Sequence, residues 1–169
     1  RSCSSAASDV YKRQDDKQWD AILECHLTAP FKILRAAQPH IKRLFLEEKE
    51  NGITNFRKVV NISSTSGMFG NAGQINYATA KAGVVGMAKT MAKEWGRYNV
   101  NVNAVGFGLI KTRLTDADAE KEESLIDIEG NKIKVGVNSA VFQSAKTMIP
   151  LGRPGTPQEA AGAIYMFCI

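Results

Sequence analysis

Two short runs rich in β-branched residues, Lys58-Val59-Val60-Asn61-Ile62-Ser63 and Val100-Asn101-Val102-Asn103-Ala104-Val105, frame one long stretch of helical period. Each run is bounded by polar or glycine-containing sequence and reads as a buried strand. Between them, from about Asn76 to Trp95, apolar and small residues (Ala80, Val84, Ala88, Met91, Trp95) recur every three or four positions. That is the spacing of one helix face, and Gly96 is expected to close the helix. A second helical stripe precedes the first strand, through Trp19, Ile22, Leu23, His26, Leu27, Phe31, Leu34, Ile41 and Leu44/Phe45. Asp15 or Asp16 is placed to cap it, and Pro30 and Pro39 are expected to bend or interrupt it. Strands separated by helical crossovers pair in parallel, which gives an α/β layered sheet. Ligands in such sheets bind beyond the carboxyl ends of the strands. Two glycine-bearing segments fall there: Gly67, Gly70 and Gly73 after Ser64, expected as a turning loop, and Gly106-Phe107-Gly108, expected as the turn after Val105.

The rest is less regular. Asp116 to Glu123 is a charged run of helical character. Ile126-Asp127-Ile128 and Ile133-Lys134-Val135 alternate on either side of Glu129-Gly130-Asn131-Lys132, which suggests a small hairpin. Thr156 is placed to cap a last helix that has Pro157 in its first position.

With 169 residues, 44% of them hydrophobic, the chain has material for one sizeable core. No apolar run approaches the roughly 20 residues of a membrane-crossing helix, so no membrane partner is expected. Cys3, Cys25 and Cys168 have neither metal-ligand spacing nor an even disulfide framework, so no metal is expected and a reducing compartment is, cytoplasm or organelle matrix. The net charge is +5, but no Lys/Arg cluster carries interleaved aromatics, and no nucleic-acid partner is expected. Residues 1–14 are rich in serine and charge and carry no apolar period. They read as an unrelated or disordered leader, and residues 15–169 as the fold.

The chemistry concentrates in Tyr77-Ala78-Thr79-Ala80-Lys81. Residues four apart share a helix face, and a fixed cation beside a phenol favours phenolate. The pair is therefore suited to proton transfer near neutral pH. Ser64, at the end of the preceding strand, offers a hydroxyl to a substrate carbonyl that Tyr77 would protonate. The Tyr-x-x-x-Lys spacing alone is weak, since such pairs are usually ordinary surface neighbours.

Its surroundings add weight. Val59 to Ser64, then Gly67, Gly70 and Gly73, then Asn76-Tyr77-x-x-x-Lys81-Ala82-Gly83 resemble the catalytic segment of the short-chain dehydrogenase/reductase family. Asn101 to Val105 followed by Gly108 and Thr112 resembles its next strand and loop, and Leu151-Gly152-Arg153 with Gln158-Glu159 its last helix entry. The stretch Asn71 to Tyr77 is most similar to the 3-oxoacyl-[acyl-carrier-protein] reductases within it. The resemblance implies a Rossmann-like doubly wound parallel sheet, here partial. It also implies an oxidoreductase, with hydride passing from NADP(H), in preference to NAD(H), to a 3-oxoacyl thioester or another small carbonyl. Fatty acid biosynthesis would be the setting. Ser64 would orient the carbonyl, Tyr77 would act as general acid/base, and Lys81 would favour the phenolate and hold the nicotinamide ribose. The Ile110 backbone and Thr112 would contact the carboxamide. A homotetramer packed through the helices at about 16–46 and 76–96 is implied for a complete protein, with Trp95 and Phe45 as outer-face candidates or else core residues. Residues 114–149 take the place of the substrate lid.

Three positions depart from the family pattern. His26 stands where the family usually has an asparagine that links the lysine to a water chain; it reads either as a relay or as a satisfied core histidine. Phe107 replaces a common proline before Gly108. Most consequentially, no G-x-x-x-G-x-G phosphate loop opens the chain, whereas the pyrophosphate of a dinucleotide needs such a cradle. The sequence is therefore expected to be a fragment of a longer reductase that lacks the residues choosing NAD or NADP, and to be inactive alone. A hydroxysteroid or hydroxyacyl-CoA dehydrogenase, or an inactive structural fragment, are the alternatives.

Overall fold

The computed structural model describes residues 14–112, 125–128, 131–134 and 147–169. The chain divides into two units, Arg1–Gly106 with Met166–Ile169 and Phe107–Tyr165.

In the first unit, helix α1 (Asp16–Leu23) starts from a capping box in which Asp15 Oδ1 accepts the Gln18 N–H at 2.7 Å and Gln18 Oε1 accepts the Asp15 N–H. A π-helical turn, Glu24–Thr28, connects it to α2 (Ala29–Glu50). The Ala29 N–H reaches back five residues to the Glu24 carbonyl. Pro30 has no N–H to give the His26 carbonyl, so the ladder widens where the sequence predicts an interruption. Pro39 behaves differently from expectation. It lies inside α2 without ending it. Pro39 and Arg35 are both exposed, so the Arg35 carbonyl that Pro39 cannot serve lies toward water, where hydration replaces the lost bond.

Strand β1 (Arg57–Ser64) follows, then a short helix α3 (Thr65–Phe69), helix α4 (Ile75–Trp95), a 3-10 turn (Gly96–Tyr98) and strand β2 (Val100–Phe107). β1 and β2 pair. The Arg57 N–H donates to the Asn99 carbonyl at 2.9 Å, which sets the starts of the two strands side by side, as a parallel pair requires. α4 crosses back over the sheet and buries Ala88, Met91 and Trp95 against Val100 and Val102, with Leu34 and Ile41 of α2 packed on them. Glu48 near the end of α2 takes the Arg57 guanidinium in a two-pronged ion pair. Arg57 holds that carboxyl below the usual carboxylate range by hydrogen bonding, with help from Asn55.

Two expected boundaries move. Gly96 keeps right-handed helical geometry, and the left-handed residue is Asn99, at φ 58°. Asparagine tolerates that region through local hydrogen bonding of its side chain, and the extra 3-10 turn delivers the chain directly into β2. β2 itself runs on through Gly106 and Phe107, where a turn is expected from sequence. The glycine segment after Ser64 begins not as a loop but as α3.

In the second unit, Ile110 and Gly155 form a parallel bridge. β3 (Leu125–Ile128) and β4 (Asn131–Lys134) pair antiparallel with Ile128 opposite Asn131. The hairpin is therefore tighter than its hydrophobic alternation suggests, because Asn131 and Lys132 are strand residues. Helix α5 (Pro157–Tyr165) starts as the sequence predicts. Thr156 Oγ1 accepts the Glu159 N–H at 3.2 Å, and Glu159 accepts the Thr156 N–H at 2.8 Å. The Arg153 hydrogen bond and the Thr156 N–H hold the Glu159 carboxyl down at about 2. The expected leader, apart from Gln14, and the charged run Asp116–Glu123 lie outside the described residues. No helix among the described residues is long and apolar enough to cross a membrane.

Candidate active site

Ser64 is the junction of β1 and α3. Its extended backbone (φ −147°, ψ 152°) ends the strand, and its Oγ accepts the Ser66 N–H at 3.2 Å as the cap of α3. Accepting uses a lone pair and leaves the hydroxyl proton to donate. The side chain is half-buried, accessible to a small carbonyl.

α4 is locked onto β1 at the residues just before Ser64. Ser63 Oγ donates to the Lys81 carbonyl at 2.8 Å, and Lys81 Nζ donates to the Ile62 carbonyl at 2.9 Å. Lys81 is 8% exposed. Burial pushes its ammonium below the usual lysine range, and the nearby Cys25 opposes that. Its Nζ stands 5.6 Å from the centre of the Tyr77 ring, so the one-turn spacing does bring cation and phenol onto one face. An ammonium has three N–H donors and Ile62 takes one. The remaining capacity suits a diol such as a ribose, which is the fit a nicotinamide nucleotide needs at this end.

His26, in the π turn, meets Tyr77 edge-on at 5.2 Å between ring centres. Burial, and then the charge of Lys81, lower its pKa below the usual histidine value, so the imidazole is neutral near pH 7. Gly83 eases the approach: a Cβ there would stand 3.0 Å from both Leu27 methyl groups, which would have to shift to make room. Gly67 performs the same service on the other flank. A Cβ on it would come within 2.7 Å of the Ala82 N and 2.8 Å of Lys81 Cβ. The spacing of glycines that reads as a loop is thus a close approach of α3 to the lysine.

The structure brings Tyr77, Lys81 and His26 together, with Ser64 closing the strand that Lys81 grips. Ile110 and Thr112, the expected carboxamide contacts, belong to the second unit. There the Ile110 side chain packs against Gly155, whose missing Cβ makes room for it.

Sequence reasoning misses Asn76. It is 7% exposed, its Oδ1 accepts the Tyr77 N–H at 2.8 Å and a Gln14 Nε2 N–H at 3.2 Å, and its Nδ2 donates to the Gln18 carbonyl at 3.2 Å. It clamps the start of α1 to the start of α4. Its signals in the sequence are a polar residue in the first turn of an otherwise apolar helix face and its place directly before Tyr77 in the motif, neither of which names its partners. Trp95 is 6% exposed and belongs to the core, while Phe45 rests edge-on against Tyr98 at 5.7 Å.

Residues 4–123 match the family model described as short chain dehydrogenase. The chain belongs to the short-chain dehydrogenase family. Among individual relatives, it is 36% identical over 152 residues to the 3-oxoacyl-[acyl-carrier-protein] reductase FabG of Thermotoga maritima, covering 90% of this chain and 50% of that protein. It is 35% identical over 106 residues to the peroxisomal hydratase-dehydrogenase-epimerase of Saccharomyces cerevisiae, covering 63% of this chain and 11% of that protein. A crystal structure of a short chain dehydrogenase from Bacillus anthracis superposes with a TM-score of 0.63 at 28% identity, covering 94% of this chain and 51% of that one. The fold is accordingly α/β and Rossmann-like, and partial. The chain spans about half the length of the FabG relative and of the solved dehydrogenase.

Proposed function

We propose that the protein containing this chain is a nicotinamide-dependent carbonyl reductase whose substrate is a 3-oxoacyl thioester, with NADPH preferred over NADH. The observation that carries the reading is the Lys81 ammonium, fixed on the Ile62 carbonyl at 2.9 Å and 5.6 Å from the Tyr77 ring, on the strand that ends in Ser64. The reductase name of the FabG relative supports the substrate class.

Ser64 donates a hydrogen bond to the substrate carbonyl oxygen, keeping its proton, and orients it. Tyr77 gives its phenolic proton to the same oxygen as the carbonyl carbon is reduced. Lys81 stabilises the phenolate left behind, since a cation nearby favours the charged form. Lys81 and Tyr77 would hold the nicotinamide ribose. The bound nicotinamide supplies the hydride. His26 returns a proton toward Lys81, a role that its neutral imidazole supports because it carries both a donor and an acceptor nitrogen.

The proposed assembly is a homotetramer. A groove of about 440 Å³ between α2 and α4 is lined by Phe31, Arg35, Met87, Thr90 and Glu94 among others. It combines an apolar floor with one cation and one anion, which a two-fold axis pairs reciprocally.

The complete protein, given acetoacetyl thioester and NADPH, is expected to oxidise the nucleotide and yield the 3-hydroxyacyl thioester. Faster oxidation of a hydroxyacyl-CoA with NAD would favour a second reading, a hydroxyacyl thioester dehydrogenase. His26 and the peroxisomal relative lend that reading its support. Absence of turnover with every carbonyl and alcohol tested would reject both.

A further inference from the structure

Gly106 lies inside β2, and a glycine within a strand often marks a site of close approach. Its φ lies outside the left-handed region, so what its missing Cβ supplies is space. A Cβ built there would stand 2.9 Å from Met68 Cε, 3.3 Å from Met68 Sδ and 3.6 Å from the Ser64 carbonyl carbon. The end of the Met68 side chain thus reaches from α3 onto the β2 backbone, beside Ser64. Met68 is nevertheless 52% exposed. Part of its side chain is seated on Gly106, and the rest is an apolar surface at the carboxyl ends of β1 and β2, where parallel sheets bind their ligands. Methionine is unbranched and has three rotatable bonds, so its thioether adapts to the space it is given.

We infer that Met68 is a specificity-determining residue: its thioether, seated on Gly106, walls the space beside Ser64 that takes the alkyl end of the substrate, and its position sets how long that end can be. The inference rests on the reading of Ser64 as the group that orients a carbonyl, and deepens it by naming what flanks that carbonyl. The reacting carbonyl of a 3-oxoacyl thioester has two flanks. One leads to the thioester, whose oxygen would lose its hydrogen bonds to water against an apolar wall. The other is a bare alkyl chain, which gains by burial against a thioether. Met68 therefore belongs to the alkyl flank. With no Cβ on Gly106, the thioether lies back on β2 and leaves the site its room. A methyl at Gly106 would push the thioether off β2 toward the open side and shorten the space. The crowded atoms are the far end of a flexible side chain, so Met68 moves and the strands stay.

The test is a chain-length profile on the complete protein, with NADPH and 3-oxoacyl thioesters from acetoacetyl to 3-oxodecanoyl. The readout is kcat/KM for the longest substrate divided by that for the shortest. One methylene more or less in an apolar pocket changes such ratios about 10–200-fold. Met68→Ala is expected to raise the ratio about tenfold or more, and Gly106→Ala to lower it by a similar factor. In the double variant the added methyl has no thioether to displace, so the ratio should return to that of Met68→Ala. A merely structural role for Gly106 would not depend on Met68 in this way. A second readout needs no turnover. In protein labelled with methyl-13C methionine and holding NADP, the Met68 methyl resonance is assigned by its loss in Met68→Leu. It should move on titration with 3-hydroxydecanoyl thioester, and less with 3-hydroxybutyryl thioester. A wild-type ratio in folded Met68→Ala and Gly106→Ala would overturn the inference. So would a loss in Gly106→Ala that is equal at every chain length or persists in the double variant, or a Met68 resonance that does not move. A wild-type protein that reduces no carbonyl overturns the functional reading and this inference with it. An active wild type whose ratio ignores both residues overturns this inference alone.

Discussion

Tyr77, Lys81 and Ser64 are recognisable before folding because their relation is nearly local. One helical turn separates the phenol from the ammonium, and one strand end precedes them. Asn76 is not recognisable, because what matters about it is its partners. It is defined by Gln14 and Gln18, some sixty residues away along the chain. His26 lies between these cases: its position in the apolar stripe is legible, but its contact with Tyr77 is tertiary. Tyr77→Phe in the complete protein keeps the ring and removes the proton donor. Turnover should fall about 10²–10⁴-fold with nucleotide affinity little changed, as read by steady-state kinetics and fluorescence titration. The lowered His26 pKa has its own signature. The folded imidazole resists protonation that the unfolded one accepts at about 6.5. As pH falls below that value unfolding takes up a proton, so stability declines until the folded value is passed. Denaturant titrations across this window should show the decline in the wild type and a smaller one in His26→Asn, and an NMR titration should place the His26 midpoint below 6.5. Equal declines would remove burial of the neutral imidazole from the account.

The helices and strands of the first unit follow from period and composition, and their misread boundaries have local causes. Pro39 reads as a breaker because sequence does not say which side of a helix faces water. Gly96 reads as the left-handed stop because glycine is the commoner choice, yet Asn99 takes that role one 3-10 turn later. The loop between Ser64 and α4 is the most instructive element. Ser66 Oγ and Asn71 Nδ2 both donate to Gln74 Oε1, at 3.0 and 3.1 Å. Gly70 and Gly73, at φ 76° and 83°, turn the chain, while Gly67 lies against α4. Gly67→Ala puts a methyl within 2.8 Å of Lys81 Cβ. A displaced α3, a loss of about 1–3 kcal/mol of stability as for other overpacking, and a larger fall in kcat than in nucleotide affinity are expected. Denaturation and kinetics together check this; wild-type values in both would show that α3 yields freely.

At the scale of the whole molecule, the chain carries the β1–β2 pair and the helix bearing Tyr77 and Lys81, and FabG and the solved dehydrogenase are about twice as long. The sequence carries the candidate proton-transfer residues and is silent on which nucleotide is preferred, because the family's phosphate cradle is a local glycine motif that this sequence does not contain. The assembly is legible only as an outer helix face, and the interface proposed for it is the groove bearing Arg35 and Glu94. Arg35→Glu should place two like charges opposite each other across a two-fold axis, and Glu94→Arg in the same chain should restore complementarity. Sedimentation of the complete protein is expected to show tetramer, then smaller species for the single variant, then tetramer for the double. A wild-type monomer at micromolar concentration contradicts the arrangement. The most direct test of the central claim follows the hydride itself. The complete protein is incubated with acetoacetyl thioester and nicotinamide nucleotide deuterated at the transferred position, and the product is read by mass spectrometry. Hydride transfer assisted by Tyr77 places one deuterium at C3 of a 3-hydroxyacyl thioester, formed by wild type and all but lost in Tyr77→Phe. Unlabelled product, or labelled product formed equally well by Tyr77→Phe, would contradict it.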